Sequence, residues 1–385
     1  MSRKRRKHIL TDKEIIMRLE GLGKLVVDRI MKEERPYLEI PLRTLSNTIW
    51  NEKKGMLMLG PKKSIRSFFD INESKKFMQT LLMLSLIIMA RRENDYPTIR
   101  DLYYTGKHTL EYIDHTGKKR REETWNSQDE SNTIIQDIEV ATGILREQMG
   151  IMHDMKGKIV GNMIIRSKGH RIDLTKLGYG AYSIPPDPDR IEIEKIFGDY
   201  VLVIEKDAIF QRLNLEEFWR KQNCILITGK GQPDRSTRRL VRRLWEEYGL
   251  PIYVLTDCDS YGFYIYSVYK SGSISLSYES IRLATPGARF LGLTVSDIKD
   301  YKIPRNFIIK ATDNDIKRAK ELLRYPWFKS KAWIKEIKLF LKRKEKVEIE
   351  ALSGHGFKFL SHTYFSEKLV LSFTMYNLLI HFLLK

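Results

Sequence analysis

Apolar residues recur at helical spacing over residues 12–33 and again over 73–92. The second of these carries the longest apolar stretch, Phe77 to Ala90, interrupted by Gln79, Thr80 and Ser85. It is too short to cross a bilayer and predicts a buried helix. Between the two helices, residues 37–58 read as short strands and turns ending at Gly60-Pro61. Asn94-Asp95-Tyr96-Pro97-Thr98 then breaks the pattern, and Thr98 is placed to cap a short helix over 99–105. The polar stretch 106–132 reads as loop. Helical spacing resumes over 131–150 through Ile134, Ile135, Ile138, Ala141, Ile144 and Leu145. Residues 158–165 and 168–174 follow as two short strands joined by a turn. Helix, turn, helix and strand pair in this order predict a winged helix, a common design for docking on DNA.

Beyond a Pro- and Gly-containing connection, 177–190, the rhythm changes. Apolar strands at 200–205, 224–228 and 251–257 alternate with helices at 208–222, 236–248 and 261–270. Alternation of this kind implies a parallel sheet covered on both faces. The expected class is therefore α/β and multidomain. An N-terminal extension (1–70) comes first, then a winged-helix, CAP-like domain (71–176) and a linker (177–197). A Rossmann-like parallel-sheet domain with C-terminal elaborations (198–385) follows.

Charge narrows the partners. The 385 residues include 68 Lys and Arg against 49 Asp and Glu, a net charge of +19, while 42% are apolar, enough for real cores. Such a surface attracts polyanions, of which the nucleic-acid backbone is the commonest. The only cysteines, Cys224 and Cys258, make no zinc spacing and no disulfide framework, which fits a reducing cytoplasm. The basic start MSRKRRKHIL lacks the apolar segment of a secretory signal, so Arg3 to Lys7 reads as a phosphate-seeking arm. No membrane association is expected.

The chemistry begins with acids. Glu205 ends the first strand of the alternating region, and Asp257 ends the third with Asp259 two residues on. Ligands of open parallel sheets gather outside the carboxyl ends of the strands, so three acids from two strands can converge there. Clustered carboxylates repel one another unless a hard cation sits between them, and Mg²⁺ is the match. Gly262 lets the backbone turn tightly into the next helix. Five arginines, Arg235, Arg238, Arg239, Arg242 and Arg243, follow a Gly- and Pro-containing loop. Their spacing sets several on one face opposite Leu240 and Leu244, where they could hold a DNA backbone near the ion. Gly55 to Lys62 nearly has P-loop spacing, but Pro61 replaces the required lysine and removes an N–H, so no ATP site is expected in this chain.

Val203-Ile-Glu-Lys-Asp207 and Asp257-Cys-Asp-Ser-Tyr-Gly262 resemble the acidic motifs of the Toprim domain of topoisomerases and primases. Thr228-Gly-Lys-Gly-Gln-Pro-Asp-Arg-Ser-Thr-Arg238-Arg239, Tyr269-Lys-Ser-Gly-Ser273 and Lys346-Val-Glu-Ile-Glu-Ala-Leu352 narrow the likeness. They resemble the type IIB topoisomerase family, which joins the A subunit of topoisomerase VI with the meiotic double-strand-break transesterase. The resemblance covers roughly 70–369. Ile99-Arg-Asp-Leu-Tyr-Tyr104 resembles that family's catalytic-tyrosine motif. On a helix, Ile99, Leu102 and Tyr103 share the apolar side and Tyr104 lies with Arg100 on the polar one, so geometry favours Tyr104 as nucleophile, in agreement with the motif.

The resemblance implies a chain that cuts duplex DNA through a 5′-phosphotyrosine link and rejoins it. Arg100 would grip the phosphate. Glu205, Asp257 and Asp259 would hold Mg²⁺, with Glu205 alternatively carrying a proton. Arg235, Arg238, Arg239 and Arg242 would bind DNA. It also implies a homodimer in which the tyrosine of one protomer works with the metal site of the other. A separate ATP-binding B subunit would complete an A2B2 heterotetramer, and residues 1–70 are a docking element for it. A cytoplasmic, nucleoid-associated, archaeal setting follows from the same likeness. Three readings compete with a relaxing or decatenating topoisomerase: a meiotic-type transesterase, a Toprim nuclease or primase-like protein without a covalent step, and a winged-helix protein with a degenerate Toprim fold. The ending VLSFTMYNLLIHFLLK, 370–385, departs from the polar, Trp-bearing ending expected of the family.

Overall fold

The computed structural model describes residues 10–114 and 116–369. The Arg3 to Lys7 arm and the apolar ending 370–385 lie outside the described residues. The chain forms two compact units, one of residues 10–47 and 60–154, the other of 48–59 and 155–369.

The elements of the N-terminal half are α1 (Asp12–Met31), β1 (Tyr37–Pro41), β2 (Thr48–Asn51), β3 (Met56–Leu59), β4 (Lys63–Ser67), α2 (Ser74–Glu93), α3 (Ile99–Thr105), β5 (Thr109–Ile113), β6 (Lys119–Glu123) and α4 (Gln128–Thr142). In the first unit α1 starts at a reciprocal cap between Thr11 and Glu14 and buries Ile15, Leu19, Leu22 and Val26, one stripe at helical spacing. That stripe shares a core with Phe77, Met83, Leu84 and Ile87 of α2, Leu102 of α3 and Ile134, Ile135 and Ile138 of α4. Helix α2 is the predicted buried helix, and it stops where Asn94 adopts a left-handed conformation. Among the described residues no helix is long and apolar enough to cross a membrane.

Two stretches depart from the sequence reading. The polar segment 106–132 holds an antiparallel hairpin, β5 with β6, and the start of α4. Its turn is fixed locally: the Asp114 carboxylate accepts from the N–H groups of Thr116 and Lys118, and Gly117 supplies a φ of +79°. Every residue of β5 is exposed, so no alternation of apolar and polar positions announces it. The strand pair 158–174, read with the helices before it, belongs instead to the second unit. The chain changes unit at 47/48, 59/60 and 154/155. The β2–β3 hairpin goes with the second unit, where Trp50 lies against Trp327 with ring centroids 6.2 Å apart.

The second unit continues with β7 (Lys158–Gly161), β8 (Met163–Ser167), β9 (His170–Asp173), β10 (Tyr182–Ser183), β11 (Glu192–Ile196), β12 (Tyr200–Ile204), α5 (Asp207–Leu215), α6 (Phe218–Lys221), β13 (Cys224–Thr228), α7 (Arg235–Tyr248), β14 (Ile252–Leu255), α8 (Ser260–Ser271) and β15 (Arg289–Phe290). Its main sheet runs β10-β7-β13-β12-β14-β15. The β13, β12, β14 and β15 strands are mutually parallel, as the alternation predicted, while β7 joins β13 antiparallel. Both faces are covered. Leu202, Ile204, Leu226 and Leu255 enter one core with Ile209 and Phe210 of α5, and Val201, Val203, Ile225, Ile227 and Val254 enter the other with Leu240, Val241 and Leu244 of α7. Strands buried on both faces need apolar residues at every position, which is why they read as unbroken runs. The chain leaves β12 for β13 on one side and returns to β14 on the other, so the order reverses at β12.

Candidate active site

The three acids lie at that reversal. Glu205 follows β12, Asp257 follows β14, and β12 and β14 are neighbours. Their carboxyl ends leave a crevice where the flanking helices diverge. The Asp257 N–H donates to Glu205 Oε2 at 3.2 Å, which ties the two strand ends directly. Asp259 caps α8, its Oδ1 accepting from the Gly262 N–H at 2.6 Å. Position 262 needs glycine, since a Cβ there would stand 2.4 Å from the carbonyl oxygen of Asp257. Asp-x-Asp-x-x-Gly is thus a strand end, a helix cap and a close backbone approach in six residues.

The electrostatics show strain among these groups. Burial first, then the Asp257 charge, pushes Glu205 up to about 7. Burial pushes Asp257 up to about 6, against the Ile349 N–H and Lys206, which favour its charged form. Burial also raises Asp259. Sequence reasoning missed three further members. Lys206 sits 3.2 Å from Asp257 Oδ2, 3.1 Å from Glu348 and 2.8 Å from Glu350. Burial lowers its affinity for a proton, but the hydrogen bonds to Glu350 and Glu348 and the charge of Asp257 outweigh this and raise its pKa. The segment carrying Glu348 and Glu350 is clipped on by a two-way backbone bridge between Cys258 and Val347. The motif 346–352 contained the signal, but sequence cannot show which segment folds back across nearly ninety residues.

Hard carboxylate oxygens, crowded and desolvated, are the donor set that a divalent ion such as Mg²⁺ favours, and Lys206 already provides positive charge among them. Among the described residues no three acid, imidazole or thiol groups yet surround one point as a finished cage.

The arginines of α7 are a correction. The helix was expected to offer an open basic face, yet Arg235, Arg238, Arg239, Arg242 and Arg243 are all buried. Their donors serve the protein itself. Arg239 grips Asp189 at 2.6 Å, Arg242 bonds Glu246 and the Ala284 carbonyl, and Arg243 bonds the Pro188 and Ile191 carbonyls. Arg235 reaches Tyr278 Oη at 2.6 Å. Arg238, 1% exposed, donates to Ser273, while its Nε and Nη2 find no partner among the described residues, and burial lowers it to about 10. Helical spacing shows which arginines share a face but not that residues 188–191 and the 273–284 stretch cover them.

Tyr104 lies in the first unit, 60% exposed on α3. A reciprocal cap between Thr98 and Asp101 starts this seven-residue helix. Leu102 is buried and Ile99 and Tyr103 pack partly against the core, while Arg100 and Tyr104 are exposed. The division of faces is the one the helical spacing predicted. The Tyr103 and Tyr104 rings meet edge to face at 5.1 Å.

Comparison with known proteins adds an independent line. The family model for the Toprim domain of topoisomerase 6 A subunits and Spo11 matches residues 200–369. "Type IIB DNA topoisomerase" matches 75–151, and "All-beta domain in DNA topoisomerase VI alpha subunit" matches 156–196. The A subunit of type 2 DNA topoisomerase 6 from Hyperthermus butylicus is 56% identical over 355 residues, 90% of this chain and 92% of that protein. Its counterpart in Pyrococcus abyssi is 37% identical over 366 residues, 92% of this chain and 94% of that protein. The A subunit of DNA topoisomerase 6 from Arabidopsis thaliana is 34% identical over 331 residues, 86% of this chain and 74% of that protein. With matching domains from residue 75 to 369 and identity above half to several archaeal relatives, the chain belongs to the type IIB topoisomerase family formed by the A subunits of DNA topoisomerase 6.

Proposed function

We propose that this chain cuts and rejoins duplex DNA, relaxing or decatenating it, and that Tyr104 is the nucleophile. The observation that carries this reading is that Glu205, Asp257 and Asp259 follow neighbouring strands at the reversal point of a Toprim sheet, in a chain that also presents an exposed tyrosine on a capped helix. The Tyr104 hydroxyl oxygen bonds to a backbone phosphorus and the bond from that phosphorus to the 3′ oxygen breaks. The 5′ phosphate stays on the tyrosine, the phenolic proton passes to a base, and the 3′ oxygen leaves as a hydroxyl after taking up a proton. A phenol with a pKa of about 10 attacks poorly at neutral pH, so it needs a base or a nearby cation, and Arg100, one turn away, supplies positive charge and a grip on the phosphate. Glu205, Asp257 and Asp259 are the residues that would hold the ion. Mg²⁺, when bound, supplies charge to the phosphate and the leaving oxygen. Two roles are open to Glu205, ligand and proton carrier. The phosphotyrosine keeps the energy of the broken linkage, so rejoining needs no ATP.

The rest of the assembly follows the family. Two copies of this chain act together, each tyrosine serving the acid site of its partner. An ATP-binding B subunit completes an A2B2 heterotetramer and docks on the N-terminal region. The winged-helix character of the helical unit and a nucleoid-associated, cytoplasmic location belong to the same proposal.

The test is incubation with supercoiled DNA and Mg²⁺, with and without the ATPase partner, followed by detergent trapping. Tyr104→Phe is expected to lower covalent adducts by at least about a thousandfold, and Tyr103→Phe to leave them. Cut DNA that carries no protein would replace the transesterase with a simple nuclease. Adducts lost with Tyr103 alone would move the nucleophile by one residue.

A further inference from the structure

Lys206 stands next to Glu205 and directly precedes α5. Its ammonium touches Asp257 Oδ2, while Asp257 Oδ1 accepts from the Ile349 N–H at 2.9 Å. Both oxygens of this buried carboxylate are therefore held by the protein. One short segment does most of the holding: Ile349 acts directly, and Glu348 and Glu350 act through the lysine. A divalent ion on Asp257 would stand a few ångströms from that ammonium, and like charges repel strongly where water is scarce. The ion and the lysine thus compete for one carboxylate. Two of the lysine's three partners, Glu348 and Glu350, are glutamates more exposed than Asp257, so it keeps a place to rest after yielding.

We infer that Lys206 is a built-in competitor for the divalent ion, occupying Asp257 when the site is empty and withdrawing onto Glu348 and Glu350 as the ion enters. The glutamate pair then sets how easily the site loads. This rests on the reading of Asp257 as an ion ligand. Lys206 acts by positioning, since it controls access to another group.

Titration of the purified full-length chain with Mn²⁺, following free Mn²⁺ by electron paramagnetic resonance, tests the idea without cleavage. Asp257→Asn is expected to bind at least about tenfold more weakly than wild type. Lys206→Met, with Lys206→Gln as a second variant, is expected to bind at least about fivefold more tightly, and Lys206→Arg to resemble wild type. The double change Glu348→Gln with Glu350→Gln is expected to weaken binding while Lys206 is present and to have no effect once it is methionine. Equal or weaker binding by both neutral variants, with Asp257→Asn still weakened, overturns the competitor and leaves the metal reading standing. A glutamate effect that persists without the lysine overturns the relay. Wild type and Asp257→Asn binding alike would remove the metal reading itself.

Discussion

Tyr104 stands on a seven-residue helix whose start is capped by its own neighbours, whereas the half-buried Glu205 and the buried Asp257 meet at a sheet edge drawn from separate stretches of chain. The tyrosine needs little from the fold beyond a surface to project from. Its helix starts at the Thr98–Asp101 cap, a two-way backbone bridge to Met152 holds that start, and the buried Leu102 anchors it. The acids need strands 52 residues apart in sequence to become neighbours, and a segment about ninety residues further on to close over them. On the proposed reading, a nucleophile that reaches a polymeric substrate would gain from exposure. Acids proposed to bind a hard ion would gain from desolvation, which strengthens every charge interaction among them. The same difference appears between two polar surfaces: β5–β6 is exposed and locally turned, while α7 is covered by distant chain.

If the acid edge owes its form to distant supports, breaking one should cost more than breaking a local cap. The largest effect is expected at the buried Arg239, whose loss leaves Asp189, a carboxylate that solvent reaches, with only part of its compensating charge. Arg239→Ala should lower the stability of the second unit by about 2 kcal/mol, read from the midpoint of urea unfolding. Arg238→Met, which removes a buried guanidinium with two unpartnered nitrogens, should be neutral or stabilising by about 1 kcal/mol. Equal losses at both positions would end the distinction between a paired and an unpaired buried arginine.

Acid should expose the same support. Burial pushes Asp189 up, but Arg239 and Arg282 outweigh it and hold the carboxyl down at about 2. A depressed carboxylate stabilises the fold above its unfolded pKa of about 4 and loses that contribution as pH falls toward its folded value. Because solvent reaches Asp189 and screens its ion pairs, about 1.5 kcal/mol should disappear between roughly pH 4 and pH 2, and Asp189→Asn should flatten that part of the stability curve. A curve unchanged by Asp189→Asn would show that other carboxylates govern acid unfolding.

The smallest effect belongs to the local side. Thr98→Ala should cost about 1 kcal/mol, seen as faster amide hydrogen exchange within α3 while the second unit keeps its unfolding midpoint. Faster exchange spreading to β12 or β14 would mean that the tyrosine helix is less self-contained than its caps indicate.

Much of this was legible in the sequence because it depends on neighbours. Helical stripes, the cap at Thr98, the glycine at 262 and the doubly buried strands all reflect spacing within a few residues, and backbone geometry turns spacing directly into faces and turns. The assignment of Tyr103 to packing and Tyr104 to the surface came the same way. What sequence left hidden depends on which distant chain covers a face. The five arginines of α7 form the same pattern whether solvent or residues 273–284 lie above them, and only the tertiary structure buried them. Lys206 gained its glutamate ion pairs only because Glu348 and Glu350 fold back to the end of the strand that leads to Asp257. The 48–59 hairpin left its sequence neighbours for the other unit because Trp50, Met56 and Leu57 find their packing partners there. Local rules fix what a segment can present, while burial is a property of the whole fold and is settled only when remote segments compete for the same surface.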